Sequence, residues 1–173
     1  MEDVMIDFET LGTSYDAIIV QAAAAFFKRD GTIGEEFMVR MDPVTSFYRD
    51  GFKIDPETVI WWLNNPKETI GDVFNPDNLD PHTAMLMLNS FLRPAKYIWS
   101  HATFDFVLLM HHMKIHFIKP LFPHRGARDI RTLLDLAEMD PKDFSIDSEG
   151  IHHTALSDVR YQIKLCARAF KAL

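Results

Sequence analysis

An apolar run, Val4-Met5-Ile6, that ends in Asp7-Phe8-Glu9 constrains this chain more than any other stretch. The run reads as a buried strand, and on a strand residues two apart face the same side. Asp7 and Glu9 therefore project together while Phe8 points the other way, into a core. Two carboxylates side by side repel each other, and each raises the other's pKa unless a cation sits between them. A hard divalent ion such as Mg²⁺ or Mn²⁺ meets that need, because it prefers oxygen ligands. Two solvated acids at a strand end are the plainer reading of this motif taken alone.

At 173 residues the chain is expected to form a single domain over 1–173, with a core large enough to need no disulfides. Its one cysteine, Cys166, rules out an internal disulfide and fits a reducing compartment. The longest apolar stretch, from Ala17 to Phe27, is interrupted by Gln21 and is too short to span a bilayer. Glu2 and Asp3 make the N-terminus unlike a signal peptide. A cytoplasmic location with no membrane partner is the expectation. The net charge of -7 argues against holding nucleic acid by broad electrostatic contact. It leaves room for an enzyme that grips a few terminal nucleotides through bound metal ions.

The pattern predicts strands over 3–9, 17–27 and 35–41, with a turn at Asp30-Gly31. Asp55-Pro56 opens a helix that carries Trp61-Trp62, and Asp80-Pro81 opens a second over 81–92; in each, Asp is the N-cap and Pro the first helical residue. Tyr97-Ile98-Trp99 reads as a short strand, 104–112 as a helix, 119–128 as a basic loop, 129–138 as a helix, and 155 onward as the last helix. Strands first, then helices mixed with further strands, predict an α/β layered domain around a mixed sheet.

The last helix carries the sharpest physical argument. At about 100° per residue, Ala155, Val159, Ile163, Leu165, Cys166, Ala169 and Phe170 share one broad apolar face. Asp158 falls inside that face, whereas Arg160, Lys164, Arg168 and Lys171 fall on the opposite side. A core-facing carboxylate costs several kcal/mol unless it is paired or binds a metal. Its partner is either a buried arginine or a cation. Asp105, embedded in Phe-Asp-Phe-Val-Leu-Leu, is either a first-turn helix acid or a third contributor to the same centre.

Asp-x-Glu-Thr on the first strand, Phe-Asp after a middle strand and His-x4-Asp at the last helix resemble the DEDDh group of 3′–5′ exonucleases. That superfamily has a ribonuclease H-like fold and includes ribonuclease T, oligoribonuclease and polymerase proofreading domains. The resemblance runs from residue 4 to the last helix. Trp61-Trp62 and Arg128-Asp129-Ile130-Arg131-Thr132 further resemble a ribonuclease T-like subgroup of phages and bacteria.

The resemblance implies a ribonuclease H-like sheet with helices on both sides and a two-metal hydrolysis of phosphodiesters. It implies two Mg²⁺ or Mn²⁺ ions held by Asp7, Glu9, Asp105 and Asp158, with His153 as the general base. His152 is the rival for that role. Thr154 stands where the sister branch has tyrosine, which favours the histidine branch. Thr10 and Leu11 follow the first motif where relatives touch the terminal nucleotide, through backbone and an apolar wedge. The implied partner is the 3′ end of a nucleic acid, single-stranded or overhanging, DNA or RNA, and the products are nucleoside 5′-monophosphates. The resemblance also admits a homodimer. His101 departs from the pattern, since many relatives have asparagine there.

Other features carry plainer readings. His112 and His116 have the i, i+4 spacing of a zinc pair, but the cluster with His111 reads as a surface helix end. Trp61 and Trp62 cannot both face the core, so one is free to stack on a base or to pack at an interface. The basic stripe on the last helix (Arg160, Lys164, Arg168 and Lys171), with Arg125, Arg128 and Arg131 before it, either guides a phosphate backbone or is a solvated face. Asp129 reads as a helix N-cap, a residue near the site, or both. Besides the exonuclease, a non-catalytic end-binding module and a zinc protein built on the His-rich segment are the competing classes.

Overall fold

Chain segments of strong β pattern line up as β1 (Asp3–Thr10), β2 (Ile19–Phe27) and β3 (Ile33–Arg40) in a computed structural model that describes residues 1–140 and 153–173. Helices α1 (Pro43–Tyr48), α2 (Pro56–Leu63), α3 (Lys67–Val73) and α4 (Pro81–Leu92) follow. Then come β4 (Tyr97–Ser100), α5 (Asp105–Ile115), β5 (Ala127–Asp129), α6 (Ile130–Leu136) and α7 (Ala155–Ala172). The sheet order is β3-β2-β1-β4-β5, with β1–β2 and β2–β3 antiparallel and β1–β4 and β4–β5 parallel. This is the expected mixed α/β sheet, and it places the C-terminal end of β1 at its centre.

Helices cover both faces. On one, Val4, Ile6, Phe8, Ala22 and Ala24 meet Leu88 of α4 and Leu108 of α5. On the other, Met5, Ala23 and Ala25 meet Val159, Ile163 and Cys166 of α7 and Leu133 of α6. The four alanines of β2 have a purpose here. Having no side chain beyond Cβ, they let the helices of both layers approach the sheet closely, and all four are fully buried. A third cluster, with Leu11, Ile18, Phe52, Trp62 and Val73, joins the β1–β2 connection to α2 and α3.

Local signals worked where the chemistry was local. Asp55 and Asp80 cap α2 and α4 through backbone N–H groups of the first turn, with Pro56 and Pro81 at the first helical position. Short elements escaped the sequence pattern. The six residues of α1 and the seven of α3 are too short to show a helical period, and α3 lacks a side-chain cap. Within the stretch read as a loop, 127–129 pairs with β4 as a three-residue strand. Gly126 permits that approach, because a Cβ there would lie 2.6 Å from the Lys96 carbonyl oxygen.

One expectation is overturned. His112 and His116 do not form a surface helix end, for His112 is fully buried and His116 is 6% exposed. His112 stacks flat on Phe52, with ring centroids 3.7 Å apart, and its Nε2 hydrogen-bonds the Ala17 carbonyl. The loop carrying Asp50-Gly51-Phe52 packs over the end of α5, and a helical period cannot reveal a lid that comes from sixty residues earlier. Burial pushes the His112 pKa down to about 3. The two histidines belong to no cluster of three or more metal-ligating side chains among the described residues.

Candidate active site

Asp7 and Glu9 project from the end of β1 towards α7, on the same face as Ala23 and Gln21 of the neighbouring strand. Both are buried, as is Asp105 in the first turn of α5. Asp158 reaches in from the first turn of α7 and is half-buried. The four acids, 151 residues apart at the extremes of the chain, therefore meet at one end of the sheet. Ligand atoms of Asp7, Glu9 and Asp158 all lie within 4.8 Å of one another. A second group, Asp7, His101 and Asp105, meets the same limit, so Asp7 belongs to both.

The electrostatics follow from this crowding. Burial, then the charges of Asp105, Glu9 and Asp158, holds the Asp7 carboxyl well above its usual range. Burial and the neighbouring Asp158 and Asp105 push Glu9 up to about 8, and burial raises Asp105 to about 7. Without a counterion, protons must supply the missing positive charge. Glu9 Oε1 is buried without a hydrogen-bond partner. A buried acceptor left open beside three further carboxylates is the arrangement expected of a cation site.

Hydrogen bonds fix the acids in place. Gln162 Nε2 donates to Asp7 Oδ1 at 2.7 Å from one turn further along α7 than Asp158. Gln21 Oε1 accepts from the Ala155 N–H at 2.8 Å, tying the start of α7 to the strand opposite Glu9. The His101 N–H donates to Asp105 Oδ2 at 3.0 Å. Asp129 caps α6 by accepting from the Thr132 N–H and also accepts from the Ala102 N–H, so it serves as cap and as brace for the turn before Asp105. The sequence pattern marks Gln21 only as an interruption of the apolar run and leaves Gln162 unmarked. Gln162 stands four residues after Asp158 on the same apolar face, and that second polar exception was its readable signal.

A cleft of about 480 Å³ opens beside Glu9, lined among others by Thr10, Thr13, Trp61, Trp62 and Phe104. The two tryptophans divide as expected. Trp62 is buried and its Nε1 donates to the Thr10 carbonyl at 2.8 Å, while Trp61 is 46% exposed at the cleft wall. Thr10 lines the cleft, with its hydroxyl donating to the Gly12 carbonyl at 2.6 Å. Leu11 is turned inward among Ile18, Phe52 and Trp62, so its side chain does not project as a wedge. His153 is exposed, with its ring edge-on to Trp61 at 5.1 Å between centroids. Its φ of 58° is a left-handed conformation that costs a non-glycine residue roughly 1–3 kcal/mol and tends to mark functional positions. His152 lies outside the described residues. Of the basic residues, Arg160 pairs with Glu36 of β3 through two contacts of 2.7 Å, and Arg128 lies over the Tyr97 ring.

Acids from β1, α5 and α7 gather at the end of a five-stranded mixed sheet, and the architecture is that of an α/β nuclease of ribonuclease H-like fold. The sequence matches the 3′-5′ exoribonuclease Rv2179c-like domain over residues 2–170, and the chain belongs to that family, within the DEDDh 3′–5′ exonucleases. A search of curated proteins finds no match. The fold is similar to the zinc-bound form of E. coli exonuclease I with single-stranded DNA, at a TM-score of 0.70 and 16% identity over 98% of this chain and 42% of that one. E. coli exonuclease I in complex with a dA16 oligonucleotide gives the same values. Exonuclease I from Methylocaldum szegediense gives 0.65 and 17% over 94% and 38%. At such identities the likeness speaks for the fold alone. This chain spans less than half the length of these structures.

Proposed function

We propose that this chain is a metal-dependent 3′–5′ exonuclease that removes nucleoside 5′-monophosphates from the 3′ end of a single strand or overhang. The observation that carries the reading is the pair of overlapping ligand clusters sharing Asp7. An all-carboxylate group with an unpartnered buried oxygen on Glu9 suits a hard divalent cation, so the residues fit Mg²⁺ or Mn²⁺. Asp7, Glu9, Asp105 and Asp158 would hold two such ions. Once bound, they would acidify the attacking water and stabilise the leaving 3′ oxygen.

The protein's own groups supply the rest. His153, whose ring packs edge-on against Trp61 of the cleft wall, is the proposed general base, since an imidazole nitrogen can take a proton from water. Trp61 offers an exposed aromatic edge and face beside it for the terminal base, while Thr10 and Gly12 present backbone to the nucleotide. The Leu11 side chain supports this surface from beneath. The family's description points to RNA as substrate. No helix among the described residues is long and apolar enough to cross a membrane.

The test uses 5′-labelled RNA and DNA oligonucleotides of one sequence, with wild type and Asp7→Ala, in Mg²⁺, Mn²⁺ or EDTA. The expected result is a ladder shortening from the 3′ end, dependent on metal, absent in the variant and faster on RNA. No shortening of single-stranded or overhanging substrates in either metal would overturn catalysis and leave an end-binding module.

A further inference from the structure

Residue 101, where many of the exonucleases that the sequence resembles have asparagine, enters the second ligand cluster. His101 follows directly on Ser100, the last residue of β4, and its carbonyl accepts from the Phe104 and Asp105 N–H groups at 2.8 and 3.0 Å. Its own N–H returns a bond to Asp105 Oδ2, so a closed turn locks residue 101 against the first turn of α5. The imidazole is thereby held at the edge of the acid cluster, with Nδ1 4.0 Å from Asp105 Oδ2 and one third of the side chain exposed. That separation is too long for a good hydrogen bond, which needs roughly 2.7–3.2 Å. It suits two donors that converge on a common third atom. A ring nitrogen of His101 and carboxylate oxygens of Asp7 and Asp105 all lie within 4.8 Å of one another.

We infer that His101 is a nitrogen ligand of the metal centre, completing with Asp7 and Asp105 a mixed nitrogen–oxygen position that prefers Mn²⁺ or another transition-metal ion to Mg²⁺. The inference rests on the metal-binding part of the proposed function, not on turnover. The chemistry follows from donor type. Carboxylate and water suit Mg²⁺, whereas imidazole suits first-row transition ions. The other cluster, Asp7, Glu9 and Asp158, offers oxygen alone. The two positions thus differ in kind: one is a hard site indifferent to the choice between Mg²⁺ and Mn²⁺, and the other discriminates between them. An asparagine at 101 could offer only a neutral amide oxygen and would remove that distinction.

The experiment is metal binding to the full chain, stripped of metal, in wild type, His101→Asn and His101→Gln. Calorimetric titrations with Mn²⁺ and Mg²⁺ are paired with pulsed electron paramagnetic resonance of the Mn²⁺ complex, which detects a coordinated nitrogen directly. Wild type should show nitrogen coupling, and both variants should lose it. Their Mn²⁺ affinity should fall by about 10–100-fold, the scale set by losing a well-placed ligand or its orienting partner. Their Mg²⁺ affinity should change by less than about threefold, because Mg²⁺ gains little from imidazole. Equal melting temperatures of the metal-free proteins establish that the variants are folded. Absence of nitrogen coupling in wild type, or coupling that persists in both variants, overturns the assignment. Equal losses for both metals do so as well, since His101 would then only orient Asp105. Nitrogen coupling in a protein that degrades no substrate would sink the proposed function and leave the ligand standing; a nuclease whose Mn²⁺ carries no nitrogen would do the reverse.

Discussion

Replacing Glu9 with glutamine should stabilise the metal-free protein, and by an amount that grows with pH. Glu9 is buried beside Asp158 and Asp105 and is pushed up to about 8, from an ordinary value of 4.5. A carboxyl whose folded pKa is raised contributes its full stability below the unfolded pKa and loses it as pH rises through the folded one. At pH 6 the folded protein keeps the proton that the unfolded chain releases, at a cost of about 1.5 pKa units or ~2 kcal/mol. At pH 8 the difference has grown to slightly over 3 units, or ~4 kcal/mol. Glutamine carries no such penalty and keeps nearly the same shape. The stability gap between variant and wild type should therefore widen by about 2 kcal/mol between pH 6 and 8, equivalent to roughly 4–8 °C in melting temperature for a chain of this size. Thermal unfolding in EDTA, across that pH range, measures it directly. His112 titrates identically in both proteins and cancels. Saturating Mg²⁺ should abolish or invert the gap, since only the ionised wild type binds the cation well. A gap that stays constant from pH 6 to 8 in EDTA would refute the picture of a desolvated, mutually repelling cluster.

Other perturbations follow from the same contacts. His153→Ala should lower kcat by about 10²–10⁴-fold with little change in metal affinity, in single-turnover assays on a labelled oligonucleotide; an undiminished rate would place the base elsewhere. Gln162→Leu removes the donor to Asp7 Oδ1 and should weaken divalent-cation binding at pH 7 by about 10–100-fold in calorimetry. Trp62→Phe leaves the Thr10 carbonyl without its indole donor and should cost about 1–3 kcal/mol in denaturant unfolding. His112 is held neutral by burial, with a folded pKa of about 3, so its stability contribution is complete above its unfolded value near 6.5 and is lost as pH falls towards 3. Between pH 7.5 and 5.5 that loss is about 1 kcal/mol, and His112→Gln should flatten this part of the pH–stability curve.

Much of the framework was legible in the chain because its causes are local or periodic. Asp55-Pro56 and Asp80-Pro81 state where α2 and α4 begin, since cap and first-turn geometry involve only neighbours. The two-residue period of a strand puts Asp7 and Glu9 on one face, and the helical period puts Asp158 on the core side of α7. Asp158 is therefore conspicuous as a polar residue on an apolar face, and Asp7 and Glu9 as a pair of like charges on one face. Alone, none of them says what it meets. The structure decides that Asp7 is shared between two clusters, that Gln162 and Gln21 brace them, and that His101 lies close enough to join one. It also turns Leu11 inward and buries His112 beneath Phe52. These outcomes depend on contacts between residues tens to more than a hundred positions apart, for which no periodicity exists. Sequence thus determined which side chains are out of place in an ordinary core, through local geometry and the cost of burying charge. Only the tertiary structure, through the order and spacing of strands and helices, decided which of them share a site.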